Sequence, residues 1–148
     1  MNERRGTIVA ISVSAQKGTP KTNVPRAELV ANHGIAGDAH AGDWHRQVSL
    51  LALESIAKML ANGADVGPGA FAENLTTQSI DLTSLQIGDR LLIGQAELEI
   101  TQLGKECHAH CAIFAQVGDC VMPREGVFAR VVRGGEVEVG DEIVAADA

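Results

Sequence analysis

A closed or half-closed β-barrel with one or two accessory helices is the fold this sequence predicts. Three features point to it: 16 glycines divide 148 residues into short segments, most apolar segments alternate with period two, and a single stretch has helical period. A parallel α/β sheet would need a helix between successive strands, and the chain offers too few. With 45% apolar residues, the length suits one domain, taken as residues 1–148.

The opening "GTIVAISVSAQKGTP" reads as a strand from Thr7 to about Ser14, with Val9, Ile11 and Val13 on one face, followed by a loop. A second extended piece, Arg26 to Ala31, leads into "HGIAGDAHAGDWH", whose three glycines and two aspartates make it loop. In "RQVSLLALESIAKMLANG" a continuous apolar run reads as a buried strand. A helix follows, carrying Leu53, Ile56, Met59 and Leu60 at helical spacing and stopping at Gly63. Further on, Leu91 and Ile93, then Ala96, Leu98 and Ile100, alternate on either side of a Gly94-Gln95 turn. Gly88-Asp89 and Gly140-Asp141 each precede an apolar strand, giving two similar turn-and-strand units without a solenoid repeat.

Charge narrows the function classes. A net charge of -7 with three Phe, one Trp and no Tyr argues against nucleic acid and anionic membranes as partners, since both ask for a dense positive surface. The charged first residues and the short run Ile8 to Val13 resemble neither a signal nor a spanning segment, so a cytoplasmic address is expected. Three cysteines without a secreted framework are then expected as free thiols.

Chemistry concentrates in "LGKECHAHC", Leu103 to Cys111. In a helix Cys107 and Cys111 would lie roughly 6 Å apart at Cα, within disulfide range; in a strand they would be about 13 Å apart. A zinc site or thiol-redox pair using Cys107 and Cys111 is therefore one reading, although no second ligand pair accompanies it. Cys111 and Cys120 read as small buried apolar residues. Cys107 differs because Lys105 and His108 flank it, and positive neighbours favour the thiolate, the form that attacks and ligates.

Elsewhere, Asp38, His40, Asp43 and His45 form either a metal cluster or ordinary turn chemistry, and turn chemistry is the commoner meaning. Arg130 sits among apolar neighbours, so its guanidinium must find a bound anion or a carboxylate. Glu73 and Asn74 in "FAENL" read as turn and capping residues when taken alone.

In order, "GIAGDAH", "HRQVSLLALESI", "GAFAENLTT", "LQIGDRLLIGQAELEITQLGKEC" and "RVVRGGEVEVGDEI" resemble the MOSC domain, named after the C-terminal part of molybdenum cofactor sulfurases. The match covers nearly the whole chain and is similar to small stand-alone bacterial members. It implies a MOSC-type β-barrel similar to the pyruvate kinase barrel domain, and association with the molybdenum-pterin cofactor or with sulfur transfer. The resemblance also points to Cys107, as a carrier of sulfane sulfur in persulfide form or as a ligand of molybdenum. His40, Arg46, Asn74, Arg130 and His108 are the residues expected to wall the cofactor. Partners implied are a cysteine desulfurase or other sulfur donor, and molybdenum enzymes or cofactor-synthesis proteins. A sulfurtransferase-like carrier is implied rather than a hydrolase or oxidoreductase. Pyridoxal phosphate, which belongs to the desulfurase fused to larger relatives, is not expected, because Lys17, Lys21, Lys58 and Lys105 sit in no recognisable aldimine context.

Overall fold

The computed structural model describes residues 4–16, 21–61, 63, 67–71, 73–104 and 125–146. Strands β1 (Arg5–Val13), β5 (Val48–Ala52), β6 (Leu75–Gln78), β7 (Arg90–Ile93), β8 (Ala96–Leu103), β9 (Val127–Arg133) and β11 (Glu142–Ala146) pair in the order β11-β7-β8-β9-β5-β6-β1. A further β1–β11 pairing closes the ring into a seven-stranded barrel. Closure removes the open edges that a sheet of this width would expose. The short β2 (Thr22–Val24) adds to the outside of β1, while β10 (Gly135–Glu138), β3 (Arg26–Val30) and β4 (Gly34–Ile35) form a separate three-stranded sheet.

Alternation places the core inside the ring. Ile8, Ile11, Val48, Leu50, Leu75, Leu91, Ile93, Leu98, Ile100, Val127, Ala129 and Ile143 belong to one buried apolar cluster; most alternate with outward-facing residues, and in β1 a register shift between Ile8 and Ala10 lets both Ile8 and Ile11 reach the core. The β7–β8 hairpin follows the sequence expectation: Ile93 pairs with Ala96 across Gly94-Gln95, and Gly94 supplies the φ of +57° that the two-residue turn demands. Gly6 answers another local need. A Cβ there would stand 2.2 Å from the carbonyl oxygen of Gln78, so only glycine lets β1 and β6 approach.

β5 runs without a loop into the α-helix α1 (Leu53–Ala61). Ile56 and Met59 are buried as their spacing predicts, but Leu60 is 51% exposed. The helix has a narrow apolar stripe and Leu60 falls on its rim. Gly63, with φ +96° and its N–H donating to the carbonyl of Leu60, ends the helix as expected. The segment expected to be pure loop contains the two-residue β4, paired with Leu29 and Val30.

Candidate functional site

One level of the barrel wall carries an unusual density of polar groups. Gln102 on β8 is in register with Phe128 on β9, which is in register with Ser49 on β5. From Ser49 the row continues through Asn74 to Ser12 on β1, and Ser12 pairs with Asn23 on β2. These positions alternate with core residues such as Leu50, Ile11 and Ala129, so the row lies on the outer face of the wall. Loop 38–46 and the turn at 69–73 meet it there.

Asn74 holds the row together. Its Oδ1 accepts from Ser49 N at 3.0 Å and Ser49 Oγ at 3.2 Å, and its Nδ2 donates to the Ser12 carbonyl at 3.1 Å. The residue is 1% exposed. Asn74, just ahead of β6, ties β5 to β1 through this amide and through its backbone, which accepts from Ser12 N and donates to the Ser49 carbonyl.

Beside Asn74, Glu73 is fully buried. Its carboxylate accepts from Gly69 N at 2.9 Å, Phe71 N at 3.1 Å and Thr76 Oγ1 at 3.2 Å. Burial pushes this carboxyl above its ordinary value of 4.5, and the hydrogen bonds only partly oppose the shift. The turn it braces packs on the polar row: Gly69 has φ +94°, and a Cβ there would meet Ser12 Oγ at 3.0 Å.

At the end of β1 lies a buried ion pair. Lys21 Nζ donates to Asp38 Oδ1 at 2.8 Å, with side-chain exposures of 1% and 0%. Asp38 also accepts from Ser14 N at 3.0 Å and His40 N at 3.2 Å. Burial alone would raise the Asp38 carboxyl, but the bonds from Lys21, Ser14 and His40 and the lysine charge outweigh it, and hold the group below its ordinary 3.8. Lys21 Nζ further contacts His40 Nδ1 at 3.2 Å. Ser14 Oγ, close by, is a buried hydroxyl without a hydrogen-bond partner among the described residues.

The same loop reaches the end of β8. His45 Nε2 and Arg46 Nε meet the Gln102 Oε1 acceptor at 3.0 and 2.9 Å, while Gln102 Nε2 donates to the Gly104 carbonyl at 2.8 Å. The Arg46 guanidinium stacks 5.2 Å from the Phe128 ring centroid. Thr101 Oγ1 donates to the His45 carbonyl, and Trp44 Nε1 donates to that of His40. Loop 38–46 is thus pinned at both ends, to β1 through Asp38 and to β8 through Gln102.

The structure therefore places His40 and Arg46 in one loop, Asn74 in the polar row that this loop meets, and Arg130 on β9. Arg130 Nε is bonded to Glu99 at 2.6 Å in an outer charge ladder that also pairs Arg90 with Glu97. Of the two partners the sequence allowed it, Arg130 has the carboxylate. Its side chain is 42% exposed, so Arg130→Ala is expected to cost less than about 1 kcal/mol in urea unfolding. The metal-cluster reading of Asp38, His40, Asp43 and His45 fails on geometry: Asp38 is taken by Lys21, His45 turns to Gln102, and among the described residues no group of three or more metal-ligating side chains converges. Cys107, His108, Cys111 and Cys120 lie outside the described residues.

Lys21 and Gln102 were not among the expected site residues, whereas Glu73 braces a turn as its place in "FAENL" suggested. Lys21 and Asp38 stand 17 positions apart, and only β1–β2 pairing brings them together. "EITQLGK" did mark the Gln102 strand.

A family model for the MOSC domain matches residues 37–144. The chain belongs to the MOSC domain family. Among solved structures, this MOSC protein is similar to the YuaD protein from Bacillus subtilis, at 19% identity over 97% of both chains with a TM-score of 0.81. It is also similar to YiiM from Geobacillus stearothermophilus, at 19% identity over 96% of this chain and 75% of that one, TM-score 0.71. YiiM from Escherichia coli follows at 18% identity, 97% and 70% coverage and TM-score 0.68. At such identities the likeness shows the shared fold. No curated protein matches the chain. No helix among the described residues is long and apolar enough to cross a membrane.

Proposed function

We propose that this MOSC protein is a cytoplasmic molybdenum-cofactor-associated carrier, in which Cys107 accepts sulfane sulfur or ligates molybdenum while loop 38–46 holds the anionic part of the cofactor. The observation that carries the reading is the end of β8. Gly104 N is bonded to the Gly126 carbonyl at 2.7 Å, and Gln102 is tied to Arg46 and His45. The chain therefore leaves the barrel beside a cationic side chain three residues before Cys107.

The donor set suits an oxygen-rich anion. Arg46 engages Gln102 only through Nε among the described residues, which leaves its paired Nη groups for a phosphate. His40, a third exposed at its side chain, adds a further polar group at the β1 end of the loop. When bound, the cofactor would supply the metal centre at which sulfur or oxygen is exchanged, and the protein would bind and orient it.

The sulfur step balances without an outside oxidant. The Cys107 thiolate attacks the outer sulfur of a donor persulfide, an S–S bond forms at Cys107 as the donor's S–S bond breaks, and the donor leaves as thiolate. A cysteine desulfurase is the donor class this chemistry needs, and molybdenum enzymes or cofactor-synthesis proteins are the acceptors.

Protein from a host able to make molybdenum cofactor is expected to carry molybdenum and pterin, or to form a persulfide on Cys107 when incubated with desulfurase and cysteine. Cys107→Ala should reduce either signal at least about tenfold. Absence of both signals from the wild type, under conditions that load a known carrier, sinks the reading.

A further inference from the structure

His40 Nδ1 lies between two neighbours that make opposite demands on it. Lys21 presents an ammonium, which can only donate, and its Nζ stands 3.2 Å from Nδ1. That contact needs a lone pair on Nδ1. Asp38 presents a carboxylate, which can only accept, and its Oδ2 stands 3.8 Å from the same atom. That contact would need a proton there.

Geometry decides for the lysine. The Lys21 contact is within hydrogen-bond distance and the Asp38 contact is beyond it. Asp38 is moreover supplied with three other donors, Ser14 N, Lys21 Nζ and His40 N, so it does not depend on the ring. Lys21, at 1% side-chain exposure, has no water to take over the bond that His40 accepts.

We propose that Lys21, itself held by Asp38, is a positioning residue that fixes His40 as its Nε2–H tautomer, so that the second ring nitrogen presents a hydrogen-bond donor and not a metal-ligating lone pair. With Nδ1 occupied and Nε2 protonated, a neutral His40 has no electron pair to give a cation. Its natural partners are acceptor atoms, such as the oxygen of a phosphate or oxo anion or a ring carbonyl. This consequence rests on the reading of loop 38–46 as the ligand site; the tautomer itself does not.

The test is a long-range proton–nitrogen correlation spectrum of the 15N-labelled full chain at about pH 8, where an imidazole is neutral. Wild-type His40 should show a protonated Nε2 and an acceptor Nδ1, in at least about tenfold excess over the other tautomer. Asp38→Asn should keep that pattern, because Lys21 still donates. Lys21→Met should invert it, since Nδ1–H can then close on Asp38, and Lys21→Arg should restore it. A wild-type ring protonated at Nδ1, or evenly mixed, overturns the proposal even if Lys21→Met fails to fold. A folded Lys21→Met with the wild-type pattern overturns the role of Lys21. Loss of molybdenum and pterin binding would instead count against the proposed function and leave these spectra unchanged.

Discussion

Lys21→Met is expected to lower the free energy of unfolding by about 3–5 kcal/mol at pH 7, because it strands a buried carboxylate. The residue looks dispensable in sequence, a lone lysine in a loop. In the structure its side chain and that of Asp38 are essentially without solvent contact, and Asp38 anchors the turn that carries His40 through Ser14 N and His40 N. Urea unfolding followed by circular dichroism measures the loss, which leaves a domain of ordinary stability still folded. The double variant Lys21→Met, Asp38→Asn removes both charges and keeps an acceptor for a backbone donor. It should cost less than the sum of the single changes by about 1–3 kcal/mol. Strict additivity would show that the pair does not act as a unit.

The pH dependence follows from the same pair. The Asp38 carboxyl is held below its ordinary value, with burial opposing and the Lys21 bond and charge prevailing. A depressed carboxylate contributes stability that is present above its unfolded pKa and lost as pH falls through its folded one. In Lys21→Met, burial is left to win and raises the carboxyl, which reverses the sign, so the stability gap between wild type and Lys21→Met should narrow as pH falls through the carboxylate range. A gap that stays constant on acidification would mean that Lys21 does not set the titration of Asp38.

What was legible in the sequence is what local chemistry alone determines. The β7–β8 hairpin follows from alternation plus a two-residue glycine turn, and the β5-to-α1 passage from a change of apolar period at Leu53. The strand before Cys107 was legible for the same reason. β2 was not: Thr22, Asn23 and Val24 carry no pattern, and they are extended because the edge of β1 offers them hydrogen bonds. The candidate site divided along the same line. His40 and Arg46 stand in a loop whose glycines and aspartates announce it, whereas Lys21 and Gln102 take their roles from partners far along the chain; Glu73, readable as a turn residue, braces the turn just before it. Nothing in "FAENL" reveals that the Asn74 amide bridges β5 and β1.

Glu73→Ala is expected to destabilise the protein by about 3 kcal/mol at pH 7, because Gly69 N and Phe71 N would each lose a buried acceptor. Glu73→Gln should cost less. Its carbonyl can replace Oε2, which serves Gly69 N and Thr76 Oγ1, but its NH2 would then face the Phe71 N–H where Oε1 accepted. The pH signature has the opposite sign to that of Asp38. Burial raises the Glu73 carboxyl above 4.5, so its share of stability is fully present below the unfolded value and is lost as pH rises through the folded one. The stability gap between wild type and Glu73→Gln should therefore be larger near pH 4.5 than near pH 8, since glutamine does not titrate over that range. A gap that widened with pH would contradict the raised titration. Because Gly69 lies 3.0 Å from Ser12 Oγ when a Cβ is placed on it, loosening this turn would also slacken the polar row beside Lys21, Asp38 and His40. Glu73→Gln should therefore weaken capture of molybdenum and pterin by a protein that still folds, which a merely global loss of stability would not produce at low temperature.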